Sequence, residues 1–158
     1  MKLQDFIQAK TIIPELVSTD RDSAIRDLVD VLVEAGAAPA NLKEELIKSI
    51  LDREKKGSTG FGKGVAVPHV KHVKIKKLAA AIGVSRKGID FNALDKAPVF
   101  SVVLLLSPQD KPNEHLQAME IVFSNLQKDQ FRRFLRQATT VKEVQELLQE
   151  ADSQQLPS

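Results

Sequence analysis

Two short, nearly unbroken apolar runs constrain this chain more than any other feature. Residues 78–84 read Leu-Ala-Ala-Ala-Ile-Gly-Val and residues 99–106 read Val-Phe-Ser-Val-Val-Leu-Leu-Leu, each bounded by turn residues. Runs of that length, rich in valine or leucine, mark buried strands. Amphipathic segments surround them. Thr19 and Asp22 make a capping box before Ile25, Leu28, Val29 and Leu32, a stripe that Gly36 ends. A second helix is predicted from Asn41, with Glu44 and Glu45 at its positive end, Leu46, Ile47, Ile50 and Leu51 turned inward, a basic last turn, and Gly57 as the stop. After Pro108 and Pro112, the residues Leu116, Met119, Val122, Phe123 and Leu126 recur at helical spacing, followed by a weaker helix near 131–136 and a last one over 141–148. Strands interleaved with helices predict an α/β (mixed α+β) fold: a single domain over residues 1–150, with a mixed central sheet flanked by helices, and a frayed tail over 151–158. With 158 residues and 42% hydrophobic content, the chain has material for one core and not for two.

Composition removes several function classes. Without cysteine there is no disulfide framework, thiolate metal site or cysteine nucleophile, which suits a reducing cytoplasm. A formal charge of +2 arises from nearly balanced acids and bases, so the field of the whole protein steers little. Trp and Tyr are absent and seven Phe remain, leaving little for base stacking, so no nucleic-acid partner is expected. The first residues lack the apolar stretch of a secretory signal, and no run approaches the roughly 20 apolar residues of a membrane span. The expected location is cytoplasmic, without membrane insertion.

Chemistry concentrates in one stretch. Residues 57–64, Gly-Ser-Thr-Gly-Phe-Gly-Lys-Gly, form a glycine-rich loop that runs into Val65-Ala66-Val67 and then Pro68-His69-Val70-Lys71-His72. Two of the three histidines of the chain lie there. A histidine held at a strand end by a proline, beside glycines whose amides can approach an anion, suits reversible phosphorylation. Imidazole titrates near pH 6.5, so a neutral nucleophilic nitrogen is available without tuning. The loop lacks the Gly-Lys-Ser/Thr ending of a nucleotide P-loop, and a strand follows it where a dinucleotide fingerprint requires a helix. His69, His72 and His115 suffice in number for a zinc site, but metal binding ranks far below phosphorylation, and neither metal nor cofactor is expected. Lys71, Lys74, Lys76 and Lys77 read as a solvated basic face able to meet an acidic patch on a partner.

The stretch Asp52-Arg53-Glu54-Lys55-Lys56 leading into the loop and on to Pro68-His69 resembles the phosphorylation-site signature of fructose/mannitol-type enzyme IIA proteins of the bacterial phosphoenolpyruvate-dependent phosphotransferase system. The similarity runs from about Leu3 to Leu148, through residues 88–95 (Gly-Ile-Asp-Phe-Asn-Ala-Leu-Asp) and 112–116 (Pro-Asn-Glu-His-Leu). It is closest to the nitrogen-regulatory branch, whose members stand alone, and a chain of this length is likewise expected to carry no second domain.

The resemblance implies a phosphocarrier. His69 matches the phosphorylated histidine, His115 the second active-site histidine, and Arg53 the arginine before the glycine loop. Their chemistry agrees, because phosphoryl transfer is mostly positioning and charge stabilisation, and a guanidinium grips two phosphate oxygens. His115 follows the helix-start signals Asp110 and Pro112, where an anion is favoured. Ser58 and Thr59 are ranked lower: either they donate hydroxyls to the phosphate or they make local turn hydrogen bonds. The implied donor is a small histidine-phosphocarrier protein. The acceptor is a IIB protein, as in sugar transport, or a target regulated by phosphorylation state, as in nitrogen or carbon regulation. One departure stands out. The family usually has a small residue after the histidine, and the stiff, branched Val70, with Lys71 and His72 behind it, is expected to narrow the range of donors or acceptors without removing phosphorylation, unless it points into the core.

Overall fold

The two apolar runs pair with each other. In the computed structural model, which describes residues 1–153, β4 (Ala79–Ile89) and β5 (Val99–Pro108) run antiparallel with Ala80 opposite Leu105 and Ile82 opposite Val103. The short β1 (Ile12–Ile13) joins the free side of β4 in parallel. On the far side of β5 come β2 (Val65–Ala66) and β3 (His69–His72), both parallel to it, in register with residues 101–102 and 105–108 respectively. They are two pieces of one sheet edge, separated by Val67-Pro68. Proline has no N–H to give the ladder, but its carbonyl still accepts from Leu105 N at 3.0 Å. The sheet is mixed and five-stranded among the described residues, in agreement with the expected class.

Both faces of this sheet are covered, which is why β5 reads as a continuous apolar run and not as an alternation. Val102, Leu104 and Leu106 point to the side of α1 (Arg21–Glu34) and α2 (Lys43–Lys56), against Ile25, Leu28, Leu32, Leu46 and Ile50. Val103 and Leu105 point the other way, to α3 (Pro112–Leu126), α4 (Asp129–Gln137) and α5 (Val141–Asp152), joining Val122, Leu135 and Leu148. Leu3, Phe6 and Ile7 from the N-terminal segment complete that second layer. Each large apolar side chain so buried contributes roughly 1.5–3 kcal/mol. Among the described residues no helix is long and apolar enough to cross a membrane.

Several details differ from the sequence reading. The cap of α1 is Asp20, whose carboxylate accepts from Ser23 N at 2.9 Å, in place of a Thr19–Asp22 box; the Thr19 carbonyl instead accepts from Asp90 N. Gly36 does close this helix, at φ +83°, a conformation that a side chain would resist. β4 continues past Val84 through an irregularity to Ile89. The last helix runs four residues beyond the expected end at Leu148, to Asp152. Ala151 is buried, and the Asp152 carboxylate accepts from Leu3 N at 2.6 Å and Gln4 N at 3.0 Å. Residues 151 and 152 are therefore helix and not frayed tail. The remainder of the expected tail, residues 154–158, lies outside the described residues.

Candidate active site

Strand alternation decides which way the histidine points. Val65 and Val67 belong to the layer under α3–α5, and His69 continues that parity, whereas Val70 falls on the opposite face and packs against the α1–α2 layer. Val70 therefore fills core space. That removes the reason for expecting it to crowd the nucleophile: its branched side chain is on the wrong side of the strand. His69 Nδ1 lies 2.8 Å from the Val67 carbonyl oxygen. A carbonyl only accepts, so Nδ1 carries the hydrogen and donates it. In the neutral ring Nε2 then keeps its lone pair, and among the described residues no group is bonded to it.

His115 faces this ring from the first turns of α3. The centroids are 5.5 Å apart with the planes inclined at 50°. Pro112 opens the helix at its first position, and the His115 amide is already bonded to the Lys111 carbonyl at 3.2 Å, so the chain enters the helix with the imidazole aimed back at the sheet. His115 is only 8% exposed, and its Nδ1 is 2.7 Å from Oγ of the fully buried Ser107 on β5. Burial, followed by the neighbouring His69 and Lys71, lowers its pKa to about 4. The ring is neutral at pH 7. In the tautomer in which the Ser107 hydroxyl donates to Nδ1, Nε2–H is a donor for an anion placed between the two rings. Lys71 stands two residues along β3 on the same face as His69, in register with Ser107. It brings a positive charge to the site, whereas the sequence reading placed it in a solvated basic face able to meet an acidic patch on a partner.

The glycine loop is held from below by a residue that sequence reasoning passed over. Glu54, in the last turn of α2, is 3% exposed and accepts from Thr59 N at 3.1 Å, Thr59 Oγ1 at 2.5 Å and Ser58 Oγ at 3.4 Å. Ser58 Oγ in turn accepts from Gly60 N at 3.0 Å. The two hydroxyls weighed as phosphate ligands thus make local hydrogen bonds, because the oxygens of a buried carboxylate need donors. A signal for Glu54 existed. An acid among Arg53, Lys55 and Lys56 at a helix C-terminus opposes the macrodipole and calls for a tertiary reason. The loop is also pressed against residues 93–94: Leu94 N donates to the Gly60 carbonyl at 2.8 Å, and a Cβ on Gly60 would sit 2.8 Å from Ala93 Cβ.

Arg53 lies at the entrance of this loop. One guanidinium nitrogen donates to the Gly57 carbonyl at 2.8 Å; the side chain is exposed and pairs with no carboxylate among the described residues. No hydrogen bond joins it to either imidazole, so its fork remains open to a ligand. His72 is the opposite case. Its Nε2 is paired with Glu45, and its Nδ1 accepts from Lys74 N at 3.0 Å, so both ring nitrogens are occupied and the three histidines do not converge. Among the described residues no three His, Asp or Glu side chains lie close enough together to hold a metal ion.

Comparison with known proteins identifies the family and the fold. Residues 5–151 match the family model described as phosphoenolpyruvate-dependent sugar phosphotransferase system, EIIA 2. A fructose-specific EIIA component of Haloferax volcanii is 31% identical over 92% of this chain and 97% of its own length. A nitrogen regulatory protein of Klebsiella oxytoca is 34% identical over 79% of this chain and 78% of its own. Against the fructose-specific EIIABC component of Bacillus subtilis, at 29% identity, the chain spans 24% of that protein's length. Among solved structures, the nitrogen regulatory protein IIA-Ntr of Neisseria meningitidis shares the fold at a TM-score of 0.83, with 24% identity, 92% of this chain and 98% of that one. The mannitol enzyme IIA of Escherichia coli, in complex with phosphorylated enzyme IIB, superposes at 0.76, with 25% identity over 91% of this chain and 99% of that one.

Proposed function

The chain belongs to the EIIA 2 family of the phosphoenolpyruvate-dependent phosphotransferase system and is a phosphotransfer component, and we propose that His69 Nε2 is its phosphoryl acceptor. The observation that carries this reading is the bond from Nδ1 to the Val67 carbonyl. It sets the tautomer, fixes the ring plane and leaves one nitrogen nucleophilic, beside a neighbouring imidazole kept neutral by burial.

The donor in this reading is a phosphohistidine carrier protein. The Nε2 lone pair attacks phosphorus in line while the donor's N–P bond breaks. Its electron pair returns to the donor imidazole, so the phosphoryl group moves between two imidazoles without net proton transfer. His115 Nε2–H and Lys71 meet the incoming equatorial oxygens, and the free guanidinium edge of Arg53 closes over them from the loop side. Glu54 holds the loop that carries Arg53's anchor at Gly57. Onward transfer goes to a IIB protein in the cytoplasm, a role supported by the complex that the mannitol enzyme IIA forms. A nitrogen-regulatory output, in which the phosphorylation state is read by a target protein, is supported by the 34% identity to a protein so named.

The test is to incubate the full chain with a phosphorylated histidine carrier and map the acid-labile label by mass spectrometry. Label at His69 is expected. Label at His115 or His72 overturns the assignment, and discharge of the label by IIB proteins separates transfer from signalling.

A further inference from the structure

We propose that the cleft between the glycine loop and α4 is a second anion site, which binds the phosphate group of a small metabolite. The cleft measures about 520 Å³, within the range of small-molecule sites, and is lined by Lys63, Gly64, Phe100, Arg132, Arg133 and Arg136, with Asp129 at its edge. None of His69, His115 and Arg53 contributes to it.

Its charges are unevenly committed. Arg132 pairs with Asp129 and donates to the Leu126 carbonyl at 2.7 Å, so these two neutralise each other and Arg132 works as a structural peg. Lys63, Arg133 and Arg136 have no carboxylate at ion-pair distance among the described residues. Three uncompensated cations in one cleft exceed the formal +2 of the entire chain. The α4 members recur at positions 129, 132, 133 and 136, which places them along one face of the helix. Like charges so placed repel each other, and an anion relieves that repulsion.

The geometry selects the chemistry of the occupant. The Arg136 guanidinium lies 3.5 Å from the centroid of the Phe100 ring, and this stacking orients its fork before any ligand arrives. Planar guanidinium edges match phosphate oxygens two at a time. The third cation is a loop lysine whose only side-chain partner among the described residues is the Gln127 oxygen at a long 3.4 Å, which it can leave at little cost. Gly64, the next residue, is bound through its carbonyl to Phe100 N at 2.8 Å and Ser101 N at 3.2 Å. An occupant would therefore bridge α4 and the loop that leads into His69. The concave shape and the restriction to two turns of one helix favour a small ligand over an extended acidic surface.

The test is a titration of the full His69→Ala chain, followed by amide NMR, with inorganic phosphate and then with inorganic pyrophosphate. Saturable shifts at Lys63, Gly64, Phe100 and Arg136 are expected, with a pyrophosphate Kd below about 1 mM. The double variant R133Q/R136Q, made on exposed residues, should weaken binding at least about tenfold; in a chain that retains His69 it should leave phosphoryl acceptance within about twofold of wild type. Shifts confined to Arg53, Ser107 and His115 would place all phosphate binding at the histidine pair and overturn the proposal. So would shifts that rise linearly without saturation, or a polyglutamate peptide that binds the cleft more tightly than pyrophosphate, which would make it a protein-docking surface.

Discussion

His69 and His72 sit three residues apart on one strand, and the fold gives them opposite fates. At His69 a backbone carbonyl takes one ring nitrogen and, among the described residues, nothing takes the other. At His72 a carboxylate and an amide take both. Exposure does not separate them, since both are half-buried. What separates them is the inventory of unsatisfied nitrogen: an imidazole reacts where the structure fixes its tautomer and then leaves the second nitrogen alone. His69 also has a neutral imidazole at 5.5 Å, whereas His72 has a carboxylate in contact that would repel a phosphoryl group.

The comparison breaks first at the nucleophiles. His69→Ala should abolish phosphoryl acceptance, a loss of at least about a thousandfold in labelling rate, while His72→Asn stays within about twofold of wild type. Appreciable label on the His69→Ala chain would mean that the free-nitrogen criterion is wrong. The next effect is at the supporting donors. His115→Ala and Arg53→Ala should each slow transfer about 10- to 100-fold with unchanged circular dichroism, as expected for the removal of one donor to developing charge. Wild-type rates in both would leave the second imidazole and the guanidinium without the work assigned to them.

A smaller loss is expected in stability. Glu54→Gln keeps the shape but cannot accept from Thr59 N and both hydroxyls as a carboxylate does, and should cost about 1–3 kcal/mol in denaturant unfolding. An unchanged midpoint would show that the loop holds itself. The smallest effect is in pH. Folded His115 takes its proton only near pH 4, whereas the unfolded chain takes it near 6.5. Between those values the unfolded state binds more protons, so stability is fully present above about pH 6.5 and falls as pH drops toward 4. The expected loss is roughly 1–2 kcal/mol, less than full burial implies because the ring edge toward the site is screened. Proton NMR should find His115 titrating near pH 4; a midpoint above 7 would mean that it is charged in the resting site.

Much of this was legible in the residues themselves. The buried sheet follows from residues 78–84 and 99–106 because strands covered on both faces need no alternation, and His69 stands out from the proline before it and the glycines upstream. The two-residue β1 is too short to leave a pattern. Asp20 was displaced in the reading by Thr19, its neighbour with the same capping chemistry. The facing of His69 and His115 depends on α3 folding back over β5, and the roles of Glu54 and Glu45 depend on partners that only the packed helices supply. Such pairings are tertiary, and local propensity carries no information about them. The orientation of Val70 was within reach: counting by twos from Val65 puts it in the α1–α2 layer.

The carboxylate of Asp152 on the amides of Leu3 and Gln4 has a consequence in time. Every member of the α1–α2 layer lies at or before Leu106, so that half of the core can close once the second long strand has been synthesised. The other half waits. Leu3, Phe6 and Ile7 emerge first, yet their partners Val144, Leu148 and Ala151 emerge last. Contacts of such long sequence separation carry the slowest loop closure and leave apolar surface exposed longest. The histidine pair sits under this late layer, so a nascent chain can finish half of its fold well before it can carry a phosphoryl group.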